Sequence, residues 1–293
     1  MLNRNSSPVI DSCRFSGNGT PGGGGAMCNR STSDETTNPV IIRCHFSENS
    51  ASVGGAIWDS APSGTCLPFV AGCTFSSNTA SRGGAVYSQG FNSANYEPKW
   101  INCLFTGNTA TSNGGAINHT WSSPNYPSVL NCIFLNNTAA EGGAIYGFSS
   151  PESHPRFTNL TFSGSSSNAG GAMNIRSCDL CFTPDLLLRN CIFWNNQAAT
   201  GPSMFIHEAD PQINNCLLED NSCPPGALCG NQMIYHEAPL FANPAGGDLH
   251  LLAGSPAINA GLNAAMPDTI TYDFDYNLRV MGSAIDMGAF EFE

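Results

Sequence analysis

The tripeptide Gly-Gly-Ala occurs six times in this chain, followed each time by Ile, Val or Met. The copies begin at Gly24, Gly54, Gly83, Gly114, Gly142 and Gly170, at intervals of 30, 29, 31, 28 and 28 residues. A fixed interval of this size means one supersecondary unit stacked on itself, because a lone unit of thirty residues cannot bury its own apolar face. Cys13, Cys44, Cys73, Cys103, Cys132, Cys191 and Cys216 mark a second repeated position, with Leu160 standing in the sixth unit. Two residues later comes Phe15, Phe46, Phe75, Phe105, Phe134, Phe162, Phe193 or Leu218. An Asn follows three further on in most units, and a Pro lies five before the anchor in most.

Each short piece alternates with period two, as a strand does. Between the apolar residue after Pro and the anchor the alternation breaks, and Asn102, Asn131, Asn159, Asn190 and Asn215 fill the break. Asn tolerates left-handed backbone, so this break predicts a corner; Gly-Gly predicts another. Three short strands per turn make a coil of a parallel β-helix. About eight coils of roughly 30 residues are expected over 1–221, with the last coil and a C-terminal cap over 222–293. At ~4.8 Å per coil the stack is roughly 40 Å tall.

Composition narrows the function. Charged residues make up 11% of the chain and the formal net charge is -12, with Lys99 the only lysine among ten basic residues. No basic stripe exists for nucleic acid. No apolar run approaches the ~20 residues of a membrane span. The start, Met1-Leu2-Asn3-Arg4, lacks a secretory pattern, and the repeat is already running by Pro8, so the chain reads as a piece of a longer precursor or as a truncated gene model. An uncovered first coil exposes strand edges that invite end-to-end self-association.

The Gly-Gly-Ala-Ile copies paired with Phe-x-x-Asn resemble the polymorphic outer membrane protein repeats of bacterial surface autotransporters, over about residues 8 to 221. Farther on, Gly254-Ser255-Pro256-Ala257-Ile258-Asn259-Ala260-Gly261 and Ile285-Asp286-Met287-Gly288-Ala289-Phe290-Glu291 resemble the closing segment of secreted bacterial right-handed β-helix proteins. The resemblance implies a right-handed β-helix outside the cell or on its surface, and names no activity.

Candidate chemistry begins with the cysteines. The thirteen cannot all pair within one chain. Stacked anchors ~4.8 Å apart exceed the ~3.8 Å Cβ separation of a disulfide, so seven buried free thiols are expected. Cys28 and Cys66 are assigned to loops. Cys178 with Cys181, and Cys223 with Cys229, are candidates for local disulfides, which suit an oxidising location. Asp273-Phe274-Asp275-Tyr276-Asn277 has the spacing of a calcium-loop opening without the Gly and Glu that complete one. Calcium is thus the one cofactor the sequence admits, and otherwise none is expected. The plainer expectation is a cap loop in which Arg279 pairs with Asp275 or Asp286.

The positions just after each Gly-Gly-Ala form the best row for meeting a ligand: Trp58-Asp59, Tyr87-Ser88, Asn118-His119 and Tyr146-Gly147. Aromatic faces stack on sugar rings, and Asn, Asp and His bond hydroxyls. Trp58, Asp59, Tyr87, Asn118, His119 and Tyr146 are the candidate ligand-binding residues, with Asp59 and His119 the candidate catalytic pair. The expected function is a non-catalytic, adhesin-like surface or secreted protein that meets a host or matrix component or a polysaccharide. The alternative is a β-helix polysaccharide lyase or glycoside hydrolase, which needs a base or two carboxylates at that row.

Overall fold

In a computed structural model the described residues are 1–293 except 33–34, 91–96, 122–125, 150–152, 178–185 and 268–269. Three parallel sheets run the length of the molecule. The first holds eight strands from Leu2–Arg4 through Ile57–Ala61, Val86–Gly90 and Ile145–Ser149 to Met204–His207. The second and third hold nine each, beginning at Val9–Asp11 and Arg14–Ser16. Every strand pairs in register with its equivalents one unit before and after, so Phe75 lies between Phe46 and Phe105. This is an all-β parallel β-helix, as the repeat predicts. Coils are numbered one to eight by the anchor positions Cys13 to Cys216.

The expected corners form. Asn102, Asn131, Asn159, Asn190 and Asn215 have φ of 50° to 57°, and the first Gly of each repeat also has positive φ. The second Gly is required for a different reason. A Cβ on Gly84 would lie 2.1 Å from the Gly115 carbonyl oxygen of the next coil. A third corner, after the Phe strand, has no signature in the sequence, because Gly17, Glu48, Ser77, Gly107, Asn136, Gly164 and Asn195 share positive φ but no side-chain type.

Inside, the Phe side chains form one continuous column, with ring centroids 4.6 to 4.9 Å apart from Phe15 to Phe193. Cys44, Cys73, Cys103, Cys132, Cys191 and Cys216 are buried free thiols. Their sulfurs do more than fill space: the Cys44 thiol donates to the Ile42 carbonyl and accepts from the Cys13 N–H. Burial raises the Cys44 thiol to about 11, which keeps it protonated and unreactive. Cys13 departs from the expected set, being exposed. Cys28 and Cys66 are strand residues, in Met27–Arg30 and Thr65–Cys66, rather than loop residues. Cys223 and Cys229 form a disulfide, whereas Cys178 and Cys181 lie outside the described residues.

A column of asparagines seals the stack beside the Phe rings. Asn78 Oδ1 accepts from the N–H and the side chain of Asn49, while its Nδ2 donates to the Phe46 carbonyl and to Asn108 Oδ1. Every polar atom of this buried amide is used, and the pattern passes on through Asn108 to Asn137.

The C-terminal region continues the stack and then turns back along it. Leu228–Cys229 and Ile234–Tyr235 add a ninth strand to two sheets. Beyond them, Phe241–Asn243 pairs antiparallel with Asp248–Leu251, and the chain then runs back along the flank of the stack. It lies there because the outward side chains Ile133, Leu135, Ile192 and Leu217 are apolar, and Phe241, Leu249, Leu251, Met287 and Phe290 bury them. The corner asparagines hold this strap. Asn215 donates to the Ala260 carbonyl, Asn190 exchanges two bonds with Leu262, Asn131 donates to the Tyr272 carbonyl and Asn102 to that of Asp273. Within the strap, buried Arg279 pairs with Glu291 at 3.3 Å, not with a carboxylate of Asp275 or Asp286. Both Asp273 carboxylate oxygens accept backbone N–H groups, and Asp275 meets His250 instead.

Replacing Asn78 by Ala orphans the buried Asn49 N–H and one hydrogen of the Asn49 side-chain amide. Urea unfolding should show a loss of about 2–5 kcal/mol, since each buried orphan costs about 1–3 kcal/mol. A loss below about 0.5 kcal/mol would contradict the bonding described.

Candidate functional face

Alternation along the first sheet divides the predicted row into two. Trp58, Tyr87, Asn118, Tyr146, Asn174 and Phe205 stand in register on the outward side. Asp59, Ser88 and His119 stand in register one residue later and point the other way. All three are fully buried. Sequence alone joins the two rows into one ligand-facing set. The structure separates Asp59 and His119 from Trp58, Tyr87, Asn118 and Tyr146 by the thickness of the backbone.

The inward polar row starts at the first coil. Asn3 Nδ2 donates to Asn29 Oδ1 at 2.8 Å, and Asn29 Nδ2 donates to Asp59 Oδ1 at 2.7 Å. Among the described residues no cation stands beside Asp59, so burial pushes its carboxyl up to about 7, and the Asn29 bond offsets this only in part. Burial likewise drives His119 down to about 3, so its ring is neutral at physiological pH. A neutral imidazole and a partly protonated carboxyl sealed from solvent cannot touch a polysaccharide.

The outward row is flanked by a second ladder, formed by the residue preceding each Gly-Gly and, in the last member, Gly201-Pro202. Val53, Arg82, Asn113, Glu141, Ala169 and Thr200 pair in parallel from coil to coil. This ladder packs against the aromatics. The Trp58 ring lies over Gly23, where a Cβ would fall 2.5 Å from it. The Arg82 guanidinium sits 5.1 Å above the Tyr87 ring. Tyr87 and Asn118 are thereby covered, while Trp58 and Tyr146 remain half-exposed.

At the next coils the face becomes polar. Arg176 pairs with Glu141 at 2.9 Å, donates to Asn174 Oδ1 at 3.3 Å and lies 5.7 Å over the Phe205 ring. Glu141 also accepts from Asn113 Nδ2 at 3.0 Å. Burial raises the Tyr146 phenol while Arg176 pulls it down, with burial the larger effect, so it stays protonated. Sequence reasoning misses Arg176, Glu141 and Phe205. The available signal is the position before each Gly-Gly, since Arg82 and Glu141 occupy equivalent places there. Among the described residues, the face offers aromatic surfaces, amides and a single carboxylate already held by a cation. Among those same residues, no three His, Cys, Asp or Glu side chains converge to hold a metal ion.

The inward row makes stability depend on pH. Because the folded Asp59 carboxyl titrates near 7 and an unfolded one near 3.8, its stabilisation is complete below about pH 4 and is lost as pH rises through 7. Asp59→Asn keeps the bond from Asn29 and does not titrate. Relative to the unaltered protein, it should gain ~2–4 kcal/mol between pH 4 and pH 8, since each tenfold change in proton affinity is worth about 1.36 kcal/mol. Urea unfolding at both pH values checks this, and a constant difference would refute it.

Among curated proteins, none matches this sequence. The family model described as the right handed beta helix region matches residues 61–238, from the third coil through the last. That span is more than half of the chain, and with three in-register parallel sheets it shows that the protein belongs to the right-handed β-helix family.

Proposed function

We propose that this protein is a non-catalytic, adhesin-like β-helix, secreted or held at a cell surface, that binds a polysaccharide or matrix component along the outward side of its first sheet. The observation carrying this reading is the composition of that side. Trp58, Tyr146 and Phe205 present partly exposed rings spaced along the stack, and among the described residues Glu141 is its one carboxylate, bound by Arg176 and Asn113. Glycoside hydrolysis needs two carboxylates, one free to protonate and one to attack or activate water. Stacked rings flanked by amides instead suit sugar faces and hydroxyls. The likeness of the Gly-Gly-Ala units to polymorphic outer membrane protein repeats supports a surface location, as does the Cys223–Cys229 disulfide. No helix of the described residues is long and apolar enough to cross a membrane.

The test uses the purified chain against a panel of neutral and acidic polysaccharides and extracellular-matrix extracts, with and without calcium. Saturable binding without release of new reducing or unsaturated ends is expected. Trp58→Ala and Tyr146→Ala should each weaken binding about tenfold, the equivalent of about 1.4 kcal/mol. Turnover of any polysaccharide, or binding indifferent to both substitutions, would refute the proposal.

A further inference from the structure

A second recess lies on a different flank, where the strap passes beside the second sheet. Its floor is the outward side of that sheet in coils five to seven, and its wall is the turn Asn263–Ala265 with Met266 and Pro267. The cleft measures ≈ 330 Å³, within the ~300–1,000 Å³ range of small-ligand sites. Both sides are fixed. The floor is sheet, and the wall is tied to corner asparagines through the Asn190–Leu262 bonds and an Asn159 Nδ2 contact to the Met266 sulfur at 3.4 Å.

Its electrostatics oppose the rest of the molecule. In a chain of net charge -12 with ten Lys and Arg, two arginines line this one cleft, Arg156 and Arg189. The register places Arg156 beside Leu187 and Arg189 beside Thr158, so their backbones are roughly 8 Å apart diagonally across adjacent strands. Among the described residues, no acidic side chain lines the cleft, and neither guanidinium has an ion pair or hydrogen bond. Arg189 Nε is buried without an acceptor, although a buried donor costs about 1–3 kcal/mol when left unpaired. Ser128 and Thr158 add hydroxyl donors on the same floor.

The geometry points to a binding site for a phosphate monoester, held between Arg156 and Arg189. Two unpaired positive charges, one on exposed Arg156 and one on half-buried Arg189, match a dianion, which a carboxylate or a sulfate ester is not. Guanidinium forks and hydroxyls supply donors to its several oxygens. Met266, Pro267 and the Leu130 side chain give the organic part of an ester an apolar surface. Free phosphate shares the oxyanion chemistry and lacks that organic part. This site is independent of the first-sheet face, so either can fail without the other.

The test is calorimetric titration of the full chain with phenyl phosphate, inorganic phosphate, phenyl sulfate and benzoate at low salt. Phenyl phosphate should bind saturably and at least about tenfold more tightly than phenyl sulfate or benzoate, weakening as salt rises. Tighter binding of phenyl phosphate than of inorganic phosphate identifies the ester; equal binding overturns the ester and leaves free phosphate as the ligand. Arg156→Gln and Arg189→Gln should each reduce affinity about tenfold or more without lowering the thermal midpoint, since neither side chain carries a structural bond. Ser128→Asp, which adds a carboxylate to the floor, should abolish binding. Absence of phosphate binding, or binding unchanged by both arginine substitutions, overturns the site.

Discussion

The fold depends on how closely one coil can approach the next at the Gly-Gly corner. There the backbone of each coil hands its N–H groups directly to the following one, Ala56 to Ala85, Ala85 to Ala116 and Ala116 to Ala144. A Cβ on the second glycine would stand 2.0 to 2.3 Å from the next coil's carbonyl oxygen, far inside van der Waals contact. With that corner closed, all three sheets share one register. The Phe column, the thiol column and the asparagine column are consequences of this register, because each repeats a position that the corner has already aligned. A parallel sheet whose every strand is central leaves edges only at its two ends.

The scaffold was legible because it is repeated. Gly-Gly-Ala, the anchor Cys and the Asn corner each recur in equivalent places, and a strand period of two needs few residues to declare itself. Side-chain direction along the longer first-sheet strands was harder to read. Trp58 and Asp59 are neighbours in the chain, and only strict alternation from buried Ile57 tells which of them faces inward. A polar residue at an inward position runs against the usual pattern, and Asp59, Ser88 and His119 supplied three in succession. The strap was also partly written in the sequence. Arg14-Phe-Ser16 and His45-Phe-Ser47 alternate, as strands wet on one face do, whereas Ile133-Phe-Leu135 and Ile192-Phe-Trp194 are apolar throughout. Continuous apolar strands mean cover on both faces.

The two flanks differ in the chemistry they present. The first sheet carries rings and amides whose charges are internally matched, through Arg176 with Glu141 and Arg82 over Tyr87. The cleft beside the strap carries unmatched positive charge. A stack of identical units gives identical faces, so such differences arise only where outward residues are released from the repeat. In this chain that release is greatest in coils five to seven, which contribute to both places.

Solenoids ordinarily behave as one-dimensional chains of units in which each coil knows only its neighbours, so ends open independently of the middle. The strap breaks that rule. Asn102 is bonded to a residue 171 positions later and Asn131 to one 141 positions later, which links coil four to the segment that also grips coil eight. The strap thus couples coils four to eight beyond their nearest neighbours. Cooperativity along this stack is set by how far the C-terminal chain runs back over it.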